Sequence, residues 1–284
     1  MKLGILPPYH GSAVGDPAFV RSFCAAAEAE GLESIWTVEH VVVPADYSSR
    51  YPYAETGRMP LDGNDPIPDP LEWLAFAAGL TTSVKLGTAI LILPEHNPVH
   101  LAKRLATIDA LSGGRMILGI GVGWMKEESE AVGVPFAERG ARTDEYVAAL
   151  RTLWRDDVAT FEGRWVQFTG VRSRPQPVQA HGVPIMVGGH SPASARRAGA
   201  LGDGFYPLGV DAAELERLLG IMTDAAQAAG RDPSLIEITT GAPSDQETAE
   251  RFASLGVARF ILSARDTADG VERAVGRFRE KVKL

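Results

Sequence analysis

Short apolar runs alternate with segments of helical periodicity along the whole chain. In most of these runs the apolar residues are contiguous rather than alternating with polar ones, a pattern typical of strands covered on both faces of a parallel sheet. The predicted strands are 2–6, 34–38, 85–93, 115–121, 183–187, 204–207, 235–238 and 258–262. The predicted helices are 16–30, 70–82, 98–112, 142–154, 192–201, 212–229, 245–255 and 267–282. Each predicted strand is therefore followed by a helix.

This alternation predicts the fold class. Eight strand–helix units in 284 residues favour an α/β protein with a closed parallel (β/α)8 barrel, the TIM-barrel architecture. A doubly wound open sheet is the alternative. The chain has no internal repeat and no interdomain linker, so we expect one domain over 1–284.

Two predicted segments lie outside the repeating units. A small hairpin is expected at 159–168, with its turn at Glu162-Gly163. The segment 41–69 contains five prolines and has no periodicity. A loop of that length in a compact domain is typical of a lid over a binding site, which is what we predict here.

The turn after the fifth predicted strand is the clearest candidate for ligand binding. Gly188-Gly189 directly follows the apolar run. Ser191 is a favourable N-cap, and Pro192 suits the first position of a helix. Paired glycines let a ligand approach the backbone, and a helix N-terminus offers unpaired N–H groups at the positive end of its dipole. The stretch favours a phosphate site, with a plain tight turn as the alternative, since it lacks both the G-x-G-x-x-G and the Gly-Lys-Ser/Thr spacing.

Composition narrows the range of partners. The net charge is −8 with acidic and basic residues interspersed, so no basic stripe is available for a nucleic acid. No apolar run reaches membrane-spanning length and no signal-like segment is present, so we expect a soluble, cytoplasmic protein. The single cysteine, Cys24, is expected to be a buried thiol. The histidines, at positions 10, 40, 96, 100, 181 and 190, form no cluster with each other or with cysteine, so we predict no metal site.

Candidate catalytic groups lie where predicted strands end, since barrels of this class carry their active sites at the carboxyl ends of the strands. His40 directly follows the second strand, and histidine is the side chain whose charge changes near neutral pH. Glu127 and Glu128 follow a glycine-rich run, Gly119–Gly123, that would let a planar ligand approach the backbone. A structural histidine and a solvated helix start are the respective alternatives.

Several stretches together resemble one protein family. They are SIWTVEHVVVP (34–44), LGTAILILPEHNPVHLAKRLATIDALSGGRMILGIGVGW (86–124), ERGARTDEY (138–146), RPQPVQ (174–179) and VPIMVGGHSPASARRAGALGDGFYPLG (183–209). In this order they are similar to the luciferase-like monooxygenase superfamily, and most similar to its coenzyme F420 (deazaflavin)-dependent oxidoreductases. The resemblance implies a luciferase-like TIM barrel that binds a flavin or deazaflavin at the carboxyl ends of its strands, within a homodimer.

The resemblance also implies which residues bind the cofactor. Its phosphate would be held by Gly188, Gly189, His190 and Ser191. Ala89-Ile90 matches a non-proline cis peptide bond that presses on the central ring, and Gly121 and Gly123 would border the ring system. The implied set is completed by Val187 and by Glu39, which stands where several deazaflavin dehydrogenases have aspartate.

The expected function follows from the same resemblance. His40 matches a base of the family members that oxidise alcohols, and Glu128, or else Glu127, matches their acid, although Gly123-Trp124-Met125-Lys126 departs from the dehydrogenase pattern. We expect an F420-dependent oxidoreductase that transfers a hydride between the deazaflavin and a small organic substrate. An FMN-dependent monooxygenase is the nearest alternative, and a non-catalytic flavin carrier and an aldolase or isomerase are further ones. The expected partners are a small-molecule substrate and a second copy of the chain, with no nucleic acid and no membrane.

Overall fold

The computed structural model describes residues 1–9, 13–61, 63–265, 267 and 269–283. His10, one of the histidines considered above, lies outside the described residues. The strands are β1 (Lys2–Leu6), β2 (Ser34–Thr37), β3 (Lys85–Thr88), β4 (Leu91–Ile92), β5 (Met116–Gly121), β6 (Ala159–Glu162), β7 (Gln167–Val171), β8 (Ile185–Gly188), β9 (Gly204–Tyr206), β10 (Glu237–Gly241) and β11 (Val257–Ser263).

The parallel strands close into a barrel. From β1 the order runs through β2, β3, β5, β8, β9 and β10 to β11, which pairs with β1 again. The pairing of β3 with β5 joins the two ends of the sheet. The predicted (β/α)8 barrel is therefore confirmed, and the open-sheet alternative is wrong.

Helices lie between successive barrel strands. They are α1 (Pro17–Ala29), α2 (Pro70–Ala78), α3 (Pro98–Ser112), α4 (Lys126–Ala131), α5 (Arg139–Arg155), α6 (Pro192–Leu201), α7 (Ala212–Ala228), α8 (Gln246–Ser254) and α9 (Gly270–Lys281). The sequence analysis missed α4, because a six-residue helix is too short to show an apolar period. The predicted hairpin is present as antiparallel β6 and β7.

The third barrel strand differs from its prediction. The apolar run 85–93 was expected to be one strand, but it is divided into β3 and β4. The peptide bond between Ala89 and Ile90 is cis, as the family resemblance implies. Ala89 still donates a hydrogen bond of 2.6 Å to the carbonyl of Thr37. Apolar periodicity does not report a local backbone bulge, so the interruption was not visible in the run itself.

The seventh barrel strand begins later than predicted. Residues 233–235 form a 3-10 turn rather than the start of a strand, and β10 begins at Glu237. Asp232 caps this turn by accepting a hydrogen bond of 2.9 Å from the amide of Ser234. An Asp-Pro pair followed by serine is a local turn signal that outweighs the apolar residues after it.

The barrel interior is filled by Trp36 and the side chains around it. Trp36 is fully buried and packs with Ile117, Met186, Tyr206 and Ile261, which come from four other strands. At the amino ends of the strands, Arg259 is 1% exposed, and its guanidinium lies 5.3 Å from the centre of the Trp36 ring. The interior is therefore a packed core, and barrels of this class carry their binding sites at the carboxyl ends of the strands.

Candidate active site

The predicted site residues gather at the carboxyl ends of the barrel strands, which we call the mouth. Glu39 and His40 follow β2, and the Ala89-Ile90 bulge interrupts the third strand. Gly121 and Gly188 are the last residues of β5 and β8. The fold thus brings together groups that lie up to 150 positions apart in the sequence, as expected of this barrel.

His40 and Glu128 form a hydrogen-bonded pair. His40 Nδ1 lies 2.7 Å from Glu128 Oε2, and the two side chains are 9% and 1% exposed. An ionised carboxylate only accepts hydrogen bonds, so Nδ1 carries a proton and the lone pair of the neutral ring is on Nε2. The carboxylate therefore fixes both the tautomer and the orientation of the imidazole. This arrangement suits a histidine that accepts a proton through Nε2.

Glu128 is also bound by the backbone that follows His40. Its Oε1 accepts hydrogen bonds from the amides of Val41 at 2.6 Å and Val42 at 3.3 Å. Both carboxylate oxygens are thus engaged by the same segment. This geometry suits an orienting role for Glu128, and its assignment as the acid of the reaction stays a prediction.

Glu127 contacts the loop 41–69 at a different place. Its carboxylate accepts hydrogen bonds from the Ser48 amide at 2.7 Å, the Ser48 hydroxyl at 2.8 Å and the Ser49 hydroxyl at 2.6 Å. The hydrogen bond from the Ser49 side chain and then that from the Ser48 amide lower the pKa of Glu127 to about 2. The adjacent glutamates Glu127 and Glu128 therefore hold two different parts of one loop. The sequence alone does not show which part of the loop each glutamate binds.

Glu39 is buried and binds the neighbouring strand end. Its Oε2 accepts a hydrogen bond of 2.6 Å from the amide of Ile92, and its Oε1 lies 2.9 Å from Nε2 of His96. Glu39 therefore positions β4 and His96. Contact between Glu39 and a cofactor stays a prediction.

Glu95 is another carboxyl group at the mouth, and the sequence analysis did not single it out. It ends the 3-10 turn Leu93–Glu95 that follows β4. Its Oε2 is buried and has no hydrogen-bond partner among the described residues. Burial, and then the negative charges of Glu128 and Glu39, raise the pKa of Glu95 to about 8. A carboxyl group in this setting is protonated at neutral pH.

Glycines form a cradle around Ile90. A β-carbon on Gly121 would lie 2.4 Å from Ile90 Cδ1, and one on Gly188 would lie 2.6 Å from Ile90 Cγ2. Ile90 can therefore occupy the space between the ends of β5 and β8 only because both positions lack a side chain. Ala89 and Ile90 remain partly exposed at the mouth. Held between these glycines, Ala89 and Ile90 present an apolar surface against which a planar ring can lie.

The predicted phosphate turn has the expected conformation. Gly189 has φ of +106°, which only glycine adopts readily, and Ser191 caps α6 in a reciprocal capping box with Ser194. The capping box satisfies the amides of Ser191 and Ser194. The amide of Ala193 is the remaining first-turn donor without an intrahelical partner, because Pro192 has no N–H.

His190 adds a polar atom at this turn. Its Nδ1 is buried and has no hydrogen-bond partner in the part of the chain that the structure describes. Val187, the other residue assigned to the cofactor in this region, is 1% exposed and belongs to the core, so only its backbone is available. The turn therefore offers His190, Ser191 and the Ala193 amide to an anion.

Aromatic side chains cross the mouth from β5 to β8. The ring centre of Trp124 lies 6.0 Å from that of His40 and 5.2 Å from that of Tyr51. Tyr51 contacts Tyr53 at 5.4 Å, and Tyr53 contacts His190 at 4.9 Å. Tyr51 and Tyr53 belong to the loop 41–69, so this loop joins the proposed proton-transfer group to the proposed phosphate turn. The sequence does contain a signal for this aromatic row, because three tyrosines lie close together in the loop, at positions 47, 51 and 53. An analysis of apolar periodicity does not detect it.

Arg139 is a cation near the glycines that the sequence analysis also missed. It donates a hydrogen bond of 3.2 Å to the carbonyl of Gly123. Burial, and then the nearby charge of Arg197, lower the pKa of Arg139. Arg139 belongs to α5, and Arg197 belongs to α6, where it pairs with Asp144.

Two expected absences concern metals and membranes. Among the described residues, no group of three or more His, Cys, Asp or Glu side chains is arranged to hold a metal ion. No described helix is long and apolar enough to cross a membrane. Cys24 is buried and free, as expected.

Comparison with known proteins identifies the family. The model of the family described as luciferase-like monooxygenase matches residues 1–278. The chain therefore belongs to the luciferase-like monooxygenase family and is an enzyme of that family. The resemblance seen in its sequence motifs is confirmed.

Three similar proteins give this family context. An uncharacterised protein of Mycobacterium tuberculosis (strain H37Rv) is 34% identical over 261 residues, which are 87% of this chain and 89% of that protein. The F420-dependent glucose-6-phosphate dehydrogenase of Kineococcus radiotolerans is 33% identical over 229 residues, 78% of this chain and 62% of that protein. The crystal structure of the monooxygenase RslO1 from Streptomyces bottropensis superposes with a TM-score of 0.73 at 25% identity, covering 99% of this chain and 98% of that one.

Proposed function

We propose that this enzyme is an F420-dependent oxidoreductase that transfers a hydride between the deazaflavin and a small organic substrate. The observation that carries the proposal is the oriented His40–Glu128 pair at the same mouth as the glycine cradle. The similarity to an F420-dependent dehydrogenase over 78% of this chain supports it. The bound cofactor would supply or accept the hydride.

The residues at the mouth fit such a cofactor. Ile90 would support one face of the ring, with Gly121 and Gly123 along its edge. His190, Ser191 and the start of α6 would hold the phosphate. The support for this fit is the pair of close approaches at Gly121 and Gly188, which side chains would fill, together with the unpaired Nδ1 of His190.

His40 would exchange the substrate proton. Its Nε2 takes the hydroxyl proton when an alcohol is oxidised and returns it when a carbonyl is reduced. Glu128 stabilises the imidazolium that forms, because its carboxylate is already 2.7 Å from Nδ1. The protein thus contributes binding, orientation and proton transfer to the reaction.

The character of the mouth favours an uncharged substrate. Trp124 contacts His40, Tyr47 and Tyr51 contact Trp124, and the carboxylate of Glu128 is hydrogen-bonded to His40. An anionic substrate such as a sugar phosphate would meet the negative charge of Glu128. We therefore propose a neutral, partly apolar substrate, with the loop 41–69 closing over it. We also propose that the protein is a homodimer, as the family resemblance implies.

An FMN-dependent monooxygenase is the second candidate. The structural likeness to a monooxygenase at 25% identity supports it, because a flavin and a deazaflavin present the same ring and phosphate to this mouth. Reduced FMN activates oxygen readily and a deazaflavin does not, so rapid oxygen consumption with reduced FMN would favour this candidate.

The first test is a pair of binding titrations of the purified protein, one with F420 and one with FMN. Binding is measured by the change in tryptophan fluorescence. We expect tighter binding of F420, because the cradle and the α6 turn are proposed to hold it. Tighter binding of FMN would move the assignment to the monooxygenase. Saturable binding of neither would overturn the proposed cofactor site.

The second test concerns His40 and Glu128. We expect His40→Ala to lower the rate of F420 reduction by about 10²-fold or more while F420 affinity changes little. Glu128→Gln should also lower the rate, because its amide N–H₂ would donate to Nδ1 and so protonate Nε2 instead. His181→Ala is the control, since His181 is exposed away from the mouth. Full activity of His40→Ala would remove the proton-transfer role.

A further inference from the structure

The carboxyl groups at the mouth differ in how they are satisfied. Both oxygens of Glu128 accept hydrogen bonds from the segment His40–Val42. Both oxygens of Glu39 accept hydrogen bonds, from Ile92 and His96. The carboxyl groups of Glu128 and Glu39 therefore hold backbone and histidine in place.

Glu95 is close enough to Glu128 and Glu39 to feel both charges, but its own Oε2 is buried and accepts no hydrogen bond among the described residues. Its Oε1 is 3.6 Å from the place that a β-carbon of Gly123 would occupy. Gly123 has φ of +82° and no side chain, so the backbone there leaves space beside the Glu95 carboxyl group. An unsatisfied buried oxygen is costly unless a ligand group or a proton completes it.

The charges that face Glu95 favour its protonated form. From α4 it meets the carboxylate of Glu128, and from the end of β2 the carboxylate of Glu39. The histidines of the mouth, His40 and His96, are each paired with one of those carboxylates. The nearest cation from α5, Arg139, is directed to the carbonyl of Gly123. Glu95 is therefore a neutral acid at neutral pH.

We propose that Glu95 is the proton donor on the cofactor side of the site, a catalytic role that rests on the proposed function. When an alcohol is oxidised, its C–H bond breaks and the hydride passes to the ring, while its O–H proton passes to His40 Nε2. Glu95 would give up its O–H proton to balance the hydride that the cofactor would accept. Glu95 is left as a carboxylate and recovers a proton in the reverse transfer. His40 and Glu95 thus divide the two proton transfers between substrate and cofactor.

The test compares wild type with Glu95→Gln, which keeps the shape of the side chain but cannot supply this proton. Glu130→Gln is the matched control, because Glu130 is exposed on α4 and pairs with Lys126. Infrared spectroscopy of the cofactor-free protein should show a protonated carboxyl group that titrates near pH 8 and is missing from Glu95→Gln only. An unchanged band in Glu95→Gln would overturn the assignment.

The second measurement is the midpoint potential of protein-bound F420 between pH 6 and about 9.5. We expect the slope of potential against pH to change near the Glu95 pKa in wild type and in Glu130→Gln but not in Glu95→Gln. Reduction of bound F420 by the most active of 2-propanol, cyclohexanol and benzyl alcohol should slow about 10²-fold in Glu95→Gln, with F420 affinity within about threefold.

The two proposals fail in different ways. If wild type does not bind F420, the proposed function fails and the role of Glu95 falls with it. If wild type binds and reduces F420 but Glu95→Gln matches it in rate and in the pH dependence of the potential, only the role of Glu95 is overturned. A purely structural role would change stability and affinity without removing the break in the potential.

Discussion

At the scale of single residues, the shape of the mouth depends on glycines at a few positions. Ile90 fits between β5 and β8 because Gly121 and Gly188 have no β-carbon. Gly189 allows the backbone to turn into α6 with φ of +106°. These glycines determine the shape of the proposed binding site. We expect their substitution to lower ligand affinity more than it lowers the free energy of unfolding.

We predict that Gly189→Ala weakens F420 binding by about tenfold or more, because the added methyl group narrows the proposed phosphate turn. The backbone conformation alone should cost about 1–2 kcal/mol of the free energy of unfolding. Gly256→Ala is the matched control, since Gly256 has φ of +87° and a β-carbon there would meet nothing within 4 Å. Urea unfolding and F420 titration of both variants provide the measurement. Equal F420 affinity in the two variants would remove Gly189 from the site.

The sequence predicted some residue positions well and missed others for a physical reason. His40 comes shortly after β2, and Gly121 and Gly188 are the last residues of β5 and β8, so a barrel prediction places all three at the mouth. Glu95 was not singled out, because its importance depends on the absence of a partner for Oε2, which is a property of the folded structure. A sequence shows which groups are available but not which of them remain unsatisfied.

At the scale of elements, α4 determines how the loop 41–69 is held. Glu127 accepts hydrogen bonds from Ser48 and Ser49, while Glu128 binds the start of the same loop. The loop has no helix or strand among its described residues, so these contacts supply part of the order that secondary structure provides elsewhere.

We predict that Glu127→Ala loosens the loop and increases the rate of trypsin cleavage at Arg50 and Arg58 about threefold or more, because the Ser48–Ser49 tether is lost. The KM for substrate should rise while the fold stays intact. Limited proteolysis followed by mass spectrometry is the measurement. Glu130→Ala should be cleaved at the wild-type rate, since the exposed Glu130 side chain pairs with Lys126 on the same helix. Equal cleavage of all three proteins would mean that Glu127 does not restrain the loop.

The elements were predictable to different degrees. Regular strands and helices follow from apolar patterns, so β1 has the predicted bounds and the barrel closes as expected. The division of β3 from β4 and the short helix α4 depend on local backbone geometry and on contacts with distant loops. Such features leave no apolar periodicity in the sequence. Only the family resemblance pointed to the bulge at Ala89-Ile90.

At the scale of the whole molecule, a buried charge cluster and the proposed binding site lie at opposite ends of the barrel. Arg259 lies at the closed end, where it donates hydrogen bonds of 2.8 and 2.9 Å to Glu33 and pairs with Glu237 at 2.6 Å. It also covers the ring of Trp36. This cluster joins β2, β10 and β11 away from the mouth, so its loss should not change cofactor binding directly.

We predict that Arg259→Leu lowers the free energy of unfolding by about 3 kcal/mol, because it leaves Glu33 and Glu237 without their buried cation. F420 affinity of the folded protein should be unchanged. Arg251→Leu is the control, because Arg251 is half exposed and its pair with Glu216 should contribute less than about 1 kcal/mol.

The same cluster makes the stability of the protein depend on pH. Burial alone would raise the pKa of Glu33, but the hydrogen bonds and charge of Arg259 outweigh it and lower the pKa to about 2. Since this value is below the ordinary 4.5, the stabilising contribution is complete above pH 4.5 and is lost as the pH falls toward 2. Wild type should therefore lose more stability than Arg259→Leu over this range in urea unfolding. Parallel acid dependence of the two proteins would contradict the assignment.

The adjacent glutamates of α4 also bear on how new specificities arise in this scaffold. One short helix fixes the tautomer of His40 through Glu128 and holds the loop 41–69 through Glu127. A loop exchanged for that of a relative would lose its contacts with Glu127 and Glu128, and His40 would lose its orienting carboxylate. We therefore expect the segments 40–49 and 126–131 to act together if the loop selects the substrate. Exchange of both together should preserve turnover where exchange of the loop alone abolishes it.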